Sequence, residues 1–190
     1  TCNQGVAAPS AVTLCTPTGI AMDAAGNLFV ADHYNHRVLV YAPPIYNDMD
    51  AFTVLGQVGV AGLSECNRGG DASAATLCGP HDVAVDSDDN VYVAEYSNNR
   101  VLGYRRPQQS DTIADLVFGQ HGDFTSRTGN NGGVSPSSLE GPYAVTVDRD
   151  GNVYIADYQN HRVLAFSQPW ETDTVADVVF GQQGDFTTGE

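Results

Sequence analysis

Residues 142–166 read PYAVTVDRDGNVYIADYQNHRVLAF, and three β-strands are written in them. AVTVD alternates apolar and polar positions and runs into the turn RDGN. VYIAD alternates again and stops at the polar loop YQNH, after which RVLAF is a third strand. A proline-bearing loop, SQPWETDT, leads to VADVVF, a fourth strand closed by Gly181. Short β-branched and aromatic runs separated by Gly, Asn, Asp and Pro are the signals of an antiparallel meander. The turns at Ala25-Gly26-Asn27, Asp89-Asn90 and Asp150-Gly151-Asn152 supply residues that tolerate positive φ, as a tight hairpin requires. No stretch has helical periodicity.

The same text occurs twice more. PTGIAMDAAGNLFVADHYNHRVLVY starts at Pro17 and PHDVAVDSDDNVYVAEYSNNRVLGY at Pro80, so the copies lie 63 and then 62 residues apart. Each is followed by a second shared segment: AFTVLGQ from Ala51, ADLVFGQ from Ala114, ADVVFGQ from Ala176. Each is preceded by a third: TLC, TLCG, SLEG. The repeat fills residues 1–190 as a single repeat domain, with units of about 1–57, 58–120 and 121–190. Four strands per unit at fixed spacing predict an all-β chain of three four-stranded antiparallel β-propeller blades. Three blades are half of a six-bladed propeller or a segment of a longer array.

Composition removes several function classes. The chain has 23 acidic residues against 8 basic ones, a net charge of −15, and every basic residue is arginine. Schiff-base chemistry and a phosphate-loop lysine are excluded. Outside the repeated positions only Arg68, Arg105, Arg106, Arg127 and Arg149 remain, too few for a basic face on nucleic acid. No apolar run approaches the ~18 residues of a spanning helix, so no membrane insertion is expected. The start, TCNQGVAAPS, has no charged-then-apolar leader and reads as a mature chain or an excised piece.

The core pattern P-x-[GDA]-[IV]-A-x-D-x-x-G-N-[LV]-[FY]-[VI]-A-[DE]-x-x-N-[HN]-R-V-L resembles the NHL repeat. The longer unit, with its GQ-x-GDFT tail and CN…LC loop, is similar to long NHL-type repeats of bacterial exported proteins. The resemblance implies blades of a β-propeller, often six-bladed. The departures are Asp82 and Ala144 at the position of Gly19, Asp89 for a turn glycine, and Glu95 at the position of Asp32 and Asp157.

Acid, amide and guanidinium recur in every unit: Asp32, Asn35 and Arg37; Glu95, Asn98 and Arg100; Asp157, Asn160 and Arg162. A catalytic site is built once, so residues present in every blade are read as structural. The arginine fork suits tying a loop to a carboxylate and to carbonyls. The asparagines are expected to take up the left-handed conformation of the loop. The acidic turns at Asp86, Asp88, Asp89 and Asn90 and at Asp148, Asp150 and Asn152 have the spacing of calcium ligands. The twelfth positions, however, are Ser97 and Gln159 instead of glutamate, and the flanks are strands. A solvated hairpin is the favoured reading, no cofactor is expected, and calcium at Asp86, Asp88, Asp148 and Asp150 is the weaker alternative.

Cys2 and Cys15 bracket the loop before the first unit, and Cys66 and Cys78 the loop before the second. At the aligned positions of the third unit, taken as Thr128 and Glu140, both cysteines are missing together. Paired absence points to intraloop disulfides Cys2–Cys15 and Cys66–Cys78, and zinc would want shorter spacing and a nearby histidine. Persistent disulfides place the protein in an oxidising location: extracellular, cell surface or periplasm.

Of His33, His36, His81, His121 and His161, His36 and His161 occupy the repeat position of Asn99 and are read as loop residues, whereas His81 follows the proline that opens an innermost strand. With Thr18, Asp82 and Tyr143 it is placed at the mouth of the central channel as a candidate ligand site. Function is therefore expected to be non-catalytic: a secreted binding or assembly module. The alternative is a propeller enzyme, lyase or lactonase-like, at the channel mouth. NHL-like propellers include amidating lyases, which hold a metal through histidines from several blades around the channel; here only His81 stands at such a position. The expected partners are a second copy packed head-to-tail, in a closed six-bladed ring or a filament, or further repeats of a longer polypeptide. A protein or small ligand is also open.

Overall fold

The computed structural model describes residues 2–5, 8–60 and 64–189. Twelve strands form three sheets, each a meander in which sequence neighbours pair. The first blade holds β1 (Pro17–Met22), β2 (Leu28–Asp32), β3 (Arg37–Tyr41) and β4 (Thr53–Leu55). The second holds β5 (Pro80–Val85), β6 (Val91–Glu95), β7 (Arg100–Tyr104) and β8 (Leu116–Phe118). The third holds β9 (Pro142–Val147), β10 (Val153–Asp157), β11 (Arg162–Phe166) and β12 (Val178–Phe180). All pairs are antiparallel. Each inner strand begins at its proline, whose missing N–H is tolerated at a strand start, and each outer strand keeps only the last three residues of its apolar run.

The hairpin turns put Gly26, Asp89 and Gly151 in the left-handed region. The polar loops between second and third strands are single 3-10 turns, His33–Asn35, Tyr96–Asn98 and Tyr158–Asn160. Their left-handed residues are the next in line, His36, Asn99 and His161. Asn35, Asn98 and Asn160 do not take that conformation; they are buried and bonded instead.

Alternation along each strand sends one set of side chains to each neighbouring blade. Phe29, Ala31, Val38 and Leu55 of blade 1 pack on Val83, Val93 and Leu102 of blade 2. Tyr92, Ala94, Val101 and Phe118 of blade 2 pack on Val145, Ile155, Leu164 and Phe166 of blade 3. The core thus lies chiefly in two seams between blades, with a smaller cluster of Leu39, Ala51 and Val54 under Leu14 and Val60 on the outer side of blade 1. The outer surfaces of the arc have no such partner. Phe180 is 52% exposed where its counterpart Phe118 is fully buried, and Ile20 is 69% exposed where Val83 is 3%.

Candidate functional site

Antiparallel pairing sets Pro17 against Asp32, Pro80 against Glu95 and Pro142 against Asp157. The residue after each proline therefore lies near the residue after each acid, at one end of the inner strands. These residues are Thr18, His81 and Tyr143 from the inner strands, and His33, Tyr96 and Tyr158 from the 3-10 turns. Five of the six are aromatic or imidazole rings. His81 stacks on Tyr143 with centroids 3.6 Å apart, and His33 meets His81 edge-on at 5.6 Å. Tyr158 lies 5.4 Å from Tyr143, and Tyr96 is 6.4 Å from both His81 and Tyr143. Of these rings, His81 and Tyr143 were singled out in the sequence, and the structure brings them together; His33, Tyr96 and Tyr158 were not singled out. Their signal was the position after the strand-ending acid, aromatic or histidine in all three units.

The polar groups of this end are engaged between blades. Thr18 Oγ1 donates to the Pro80 carbonyl at 3.5 Å, and His33 Nδ1 lies 3.2 Å from the same oxygen. Asp82 accepts from its neighbour Val83 N–H at 2.9 Å and from Val145 N–H at 3.1 Å, which ties β5 to β9. Gly19 lies against the Asp82 backbone; a Cβ there would sit 2.6 Å from the Asp82 Cα. Burial, and then the neighbouring His33, hold the His81 imidazole below the usual histidine range, so the ring is neutral near pH 7. This end of the blades offers stacking faces, chiefly the exposed rings of Tyr34, Tyr143 and Tyr158. Among the described residues no group of three or more His, Cys, Asp or Glu side chains is arranged to hold a metal ion.

The recurring polar residues form one assembly built three times. In blade 2, Glu95 accepts from the Cys78 N–H at 2.8 Å, from Asn98 at 2.7 Å and from Arg100 Nε at 2.5 Å. Arg100 spreads its other nitrogens over the carbonyls of Ser73, Thr76 and Phe124. Arg37 does the same with Asp32 and the carbonyls of Ser10, Thr13 and Val60. Arg162 does it with Asp157 and the carbonyls of Ser135, Ser138 and Phe186. All six charged side chains are buried. Burial pushes the carboxyls of Glu95 and Asp157 up, against the pull of their arginines and hydrogen bonds. The carbonyls of Val60 and Phe124 lie in the tails that follow β4 and β8, so each arginine holds the tail of its own blade.

Both disulfides are present, Cys2–Cys15 and Cys66–Cys78, with Cα atoms 4.4 and 4.5 Å apart. In the third loop the aligned first position is Gly129, not Thr128. Asn3, Asn67 and Asn130 each donate a backbone N–H 3.0 Å to Leu14, Leu77 and Leu139, which fixes the register. Glu140 lies where the second cysteine would, and its carboxylate accepts from the Asn130 amide at 2.5 Å. The acidic turns satisfy themselves. Asp86 accepts from Asp88 N–H, from the backbone and side chain of Asn90 and from Tyr92 OH. Asp148 has the same four donors from Asp150, Asn152 and Tyr154.

The NHL repeat model matches residues 14–41, 77–104 and 139–166, the three segments that carry the inner strands and the acid–amide–arginine assembly. The chain carries three NHL repeats. Among curated proteins none matches its sequence. Its fold is similar to part of hydrazine synthase from Kuenenia stuttgartiensis, at 14% identity and a TM-score of 0.58, over 95% of this chain and 40% of that one. It is also similar to a chain of a nidogen/laminin complex, at 16% identity and a TM-score of 0.57, over 90% of this chain and 49% of that one. At these identities the likeness concerns the fold alone. This NHL-repeat chain spans less than half the length of either structure.

Proposed function

We propose that this chain is a non-catalytic binding and assembly module of an exported β-propeller, packed head-to-tail against further blades. The observation that carries the reading is the contrast between its surfaces. The recurring acids and arginines that could do chemistry are spent inside each blade, while the outer flanks of blades 1 and 3 keep apolar side chains such as Ile20 and Phe180 exposed. Large contiguous apolar surface on a water-soluble chain marks an interaction site. The ring-lined channel mouth is the face left for a ligand that binds by stacking. Two disulfides support an oxidising compartment.

Native mass spectrometry of the oxidised chain over a range of concentrations tests this reading. Particles of two or more copies are expected. A chain that stays single at every concentration, with both flanks open to solvent, would overturn it.

A further inference from the structure

We infer, resting on the assembly reading, that the outer flank of blade 3 receives the outer edge of blade 1 from a second copy of this chain. The register is that of the two seams inside the molecule. Those seams repeat two contacts and share a third that starts from the same loop position, and the next set is present in halves at opposite ends of the arc.

The first contact is a leucine over a glycine. Leu77 is fully buried above Gly56, whose φ is +89°; a Cβ there would lie 2.5 Å from the leucine Cγ. Leu139 covers Gly119, φ +93°, where a Cβ would meet it at 2.7 Å. Gly181 has the same backbone, φ +92°, but the atoms nearest to a Cβ there belong to His161 and Arg162 of its own blade. The leucine at the corresponding position of the repeat is Leu14, at the far end of the arc.

The second contact is a hydrogen bond to the left-handed residue. Gly79 N–H donates to His36 Nδ1 at 2.9 Å, and Gly141 N–H to Asn99 Oδ1 at 2.8 Å. The third acceptor in this series, His161, makes no side-chain hydrogen bond among the described residues. The third donor position is Thr16, which holds the backbone of Gly79 and Gly141: φ is +54°, against +59° and +58°.

The third contact reaches back from the loop after the third strand. Gln108 donates to Asp23 at 3.2 Å, and the Trp170 indole donates to Tyr92 OH at 2.6 Å. Ile45 stands at that position in blade 1 and is 50% exposed; across the new seam it lies over Tyr154. Occupant and surface are thus two parts of one repeated interface. A contact of this kind is heterologous: two copies close a ring through two such seams, and a rotation that misses closure extends a filament.

The test is a cysteine pair, Leu14→Cys with Phe180→Cys, in the full chain. Leu55 with Leu77 and Phe118 with Leu139 share the internal cores, so positions 180 and 14 meet only in this register. Mild oxidation and peptide mapping are expected to give an intermolecular 14–180 link, with neither single variant cross-linked to itself. Links of 14–14 or 180–180, or assembly without a 14–180 link, would overturn the seam and leave the assembly reading standing. Absence of any assembly would overturn both. A second arm uses His161. Replacement by leucine is expected to weaken assembly about tenfold, the size of one lost hydrogen bond, and replacement by asparagine, the residue at position 99, to preserve it. Equal assembly of the leucine and asparagine variants would overturn the hydrogen-bond register.

Discussion

Asn67 and Asn98 face each other and exchange their amides: Asn67 Nδ2 donates to Asn98 Oδ1 at 3.1 Å, and Asn98 Nδ2 donates back at 2.9 Å. The other proton of Asn98 goes to Glu95 at 2.7 Å. The pair joins the loop before each blade to the turn between its second and third strands. It recurs as Asn3 with Asn35 and as Asn130 with Asn160.

Asn98→Asp keeps the shape and removes both donors, and it sets a second carboxylate against Glu95. Loss of stability by about 3 kcal/mol is expected from buried groups left unsatisfied, read by urea unfolding at neutral pH. A change within the error of the measurement would show that the amide exchange is incidental.

Arg100→Ala leaves the buried Glu95 carboxylate without its cation and frees three carbonyls. The expected cost is about 3–5 kcal/mol, as for breaking a buried pair. Arg100→Lys is expected to recover little of it, because one ammonium cannot match nitrogens aimed at Glu95, Ser73, Thr76 and Phe124 at once. Thermal unfolding of the two variants beside the parent chain decides this; a lysine variant as stable as the parent would reverse the assignment.

His36 accepts from Gly79 N–H at Nδ1 and must be unprotonated there. Burial, and then His33, lower its pKa, and the same two causes lower that of His81. A histidine held below its unfolded value of about 6.5 binds its proton more readily in the unfolded chain. Its contribution is complete above that pH and is lost as pH falls towards the folded values. His36→Asn puts an amide in the role that Asn99 plays at the next seam. It is expected to flatten the fall in stability between about pH 6.5 and 5, the range just below the unfolded histidine pKa, measured by unfolding at several pH values. Parallel profiles for parent and variant would rule this seam out as a source of acid sensitivity.

Asp86 and Asp148 each accept four internal donors. Chelation with EDTA, followed by added calcium, is therefore expected to leave the melting temperature unchanged. A calcium-dependent rise would show that the turns prefer the cation to their own amides.

The strand order, the hairpins and the two disulfides were legible because each is local or repeated in kind. AVTVD, VYIAD and RVLAF alternate with the period of a pleated strand, and Cys66 with Cys78 vanish together in the third unit. Three things were not legible. The ring cluster is built partly from His33, Tyr96 and Tyr158, whose place depends on which strand ends of neighbouring blades come together. The asparagine exchange joins residues about thirty positions apart and has no periodic mark. Gly129 was displaced by one because the offset between units changes from 63 to 62 inside that loop, where no strand pattern fixes the alignment.

The reach of the arginine assembly bears on the order in which the chain folds. Arg100 takes carbonyls from Ser73 and Thr76 upstream and from Phe124 downstream, separations of 27, 24 and 24 residues. Arg162 spans the same intervals to Ser135, Ser138 and Phe186. Every bond of such an assembly therefore closes within one stretch of about fifty residues, and a ribosome that has released that stretch has released all it needs. Closing loops of this length costs only slowly growing entropy. Blades are expected to lock one after another during synthesis, each presenting a finished apolar flank to the next.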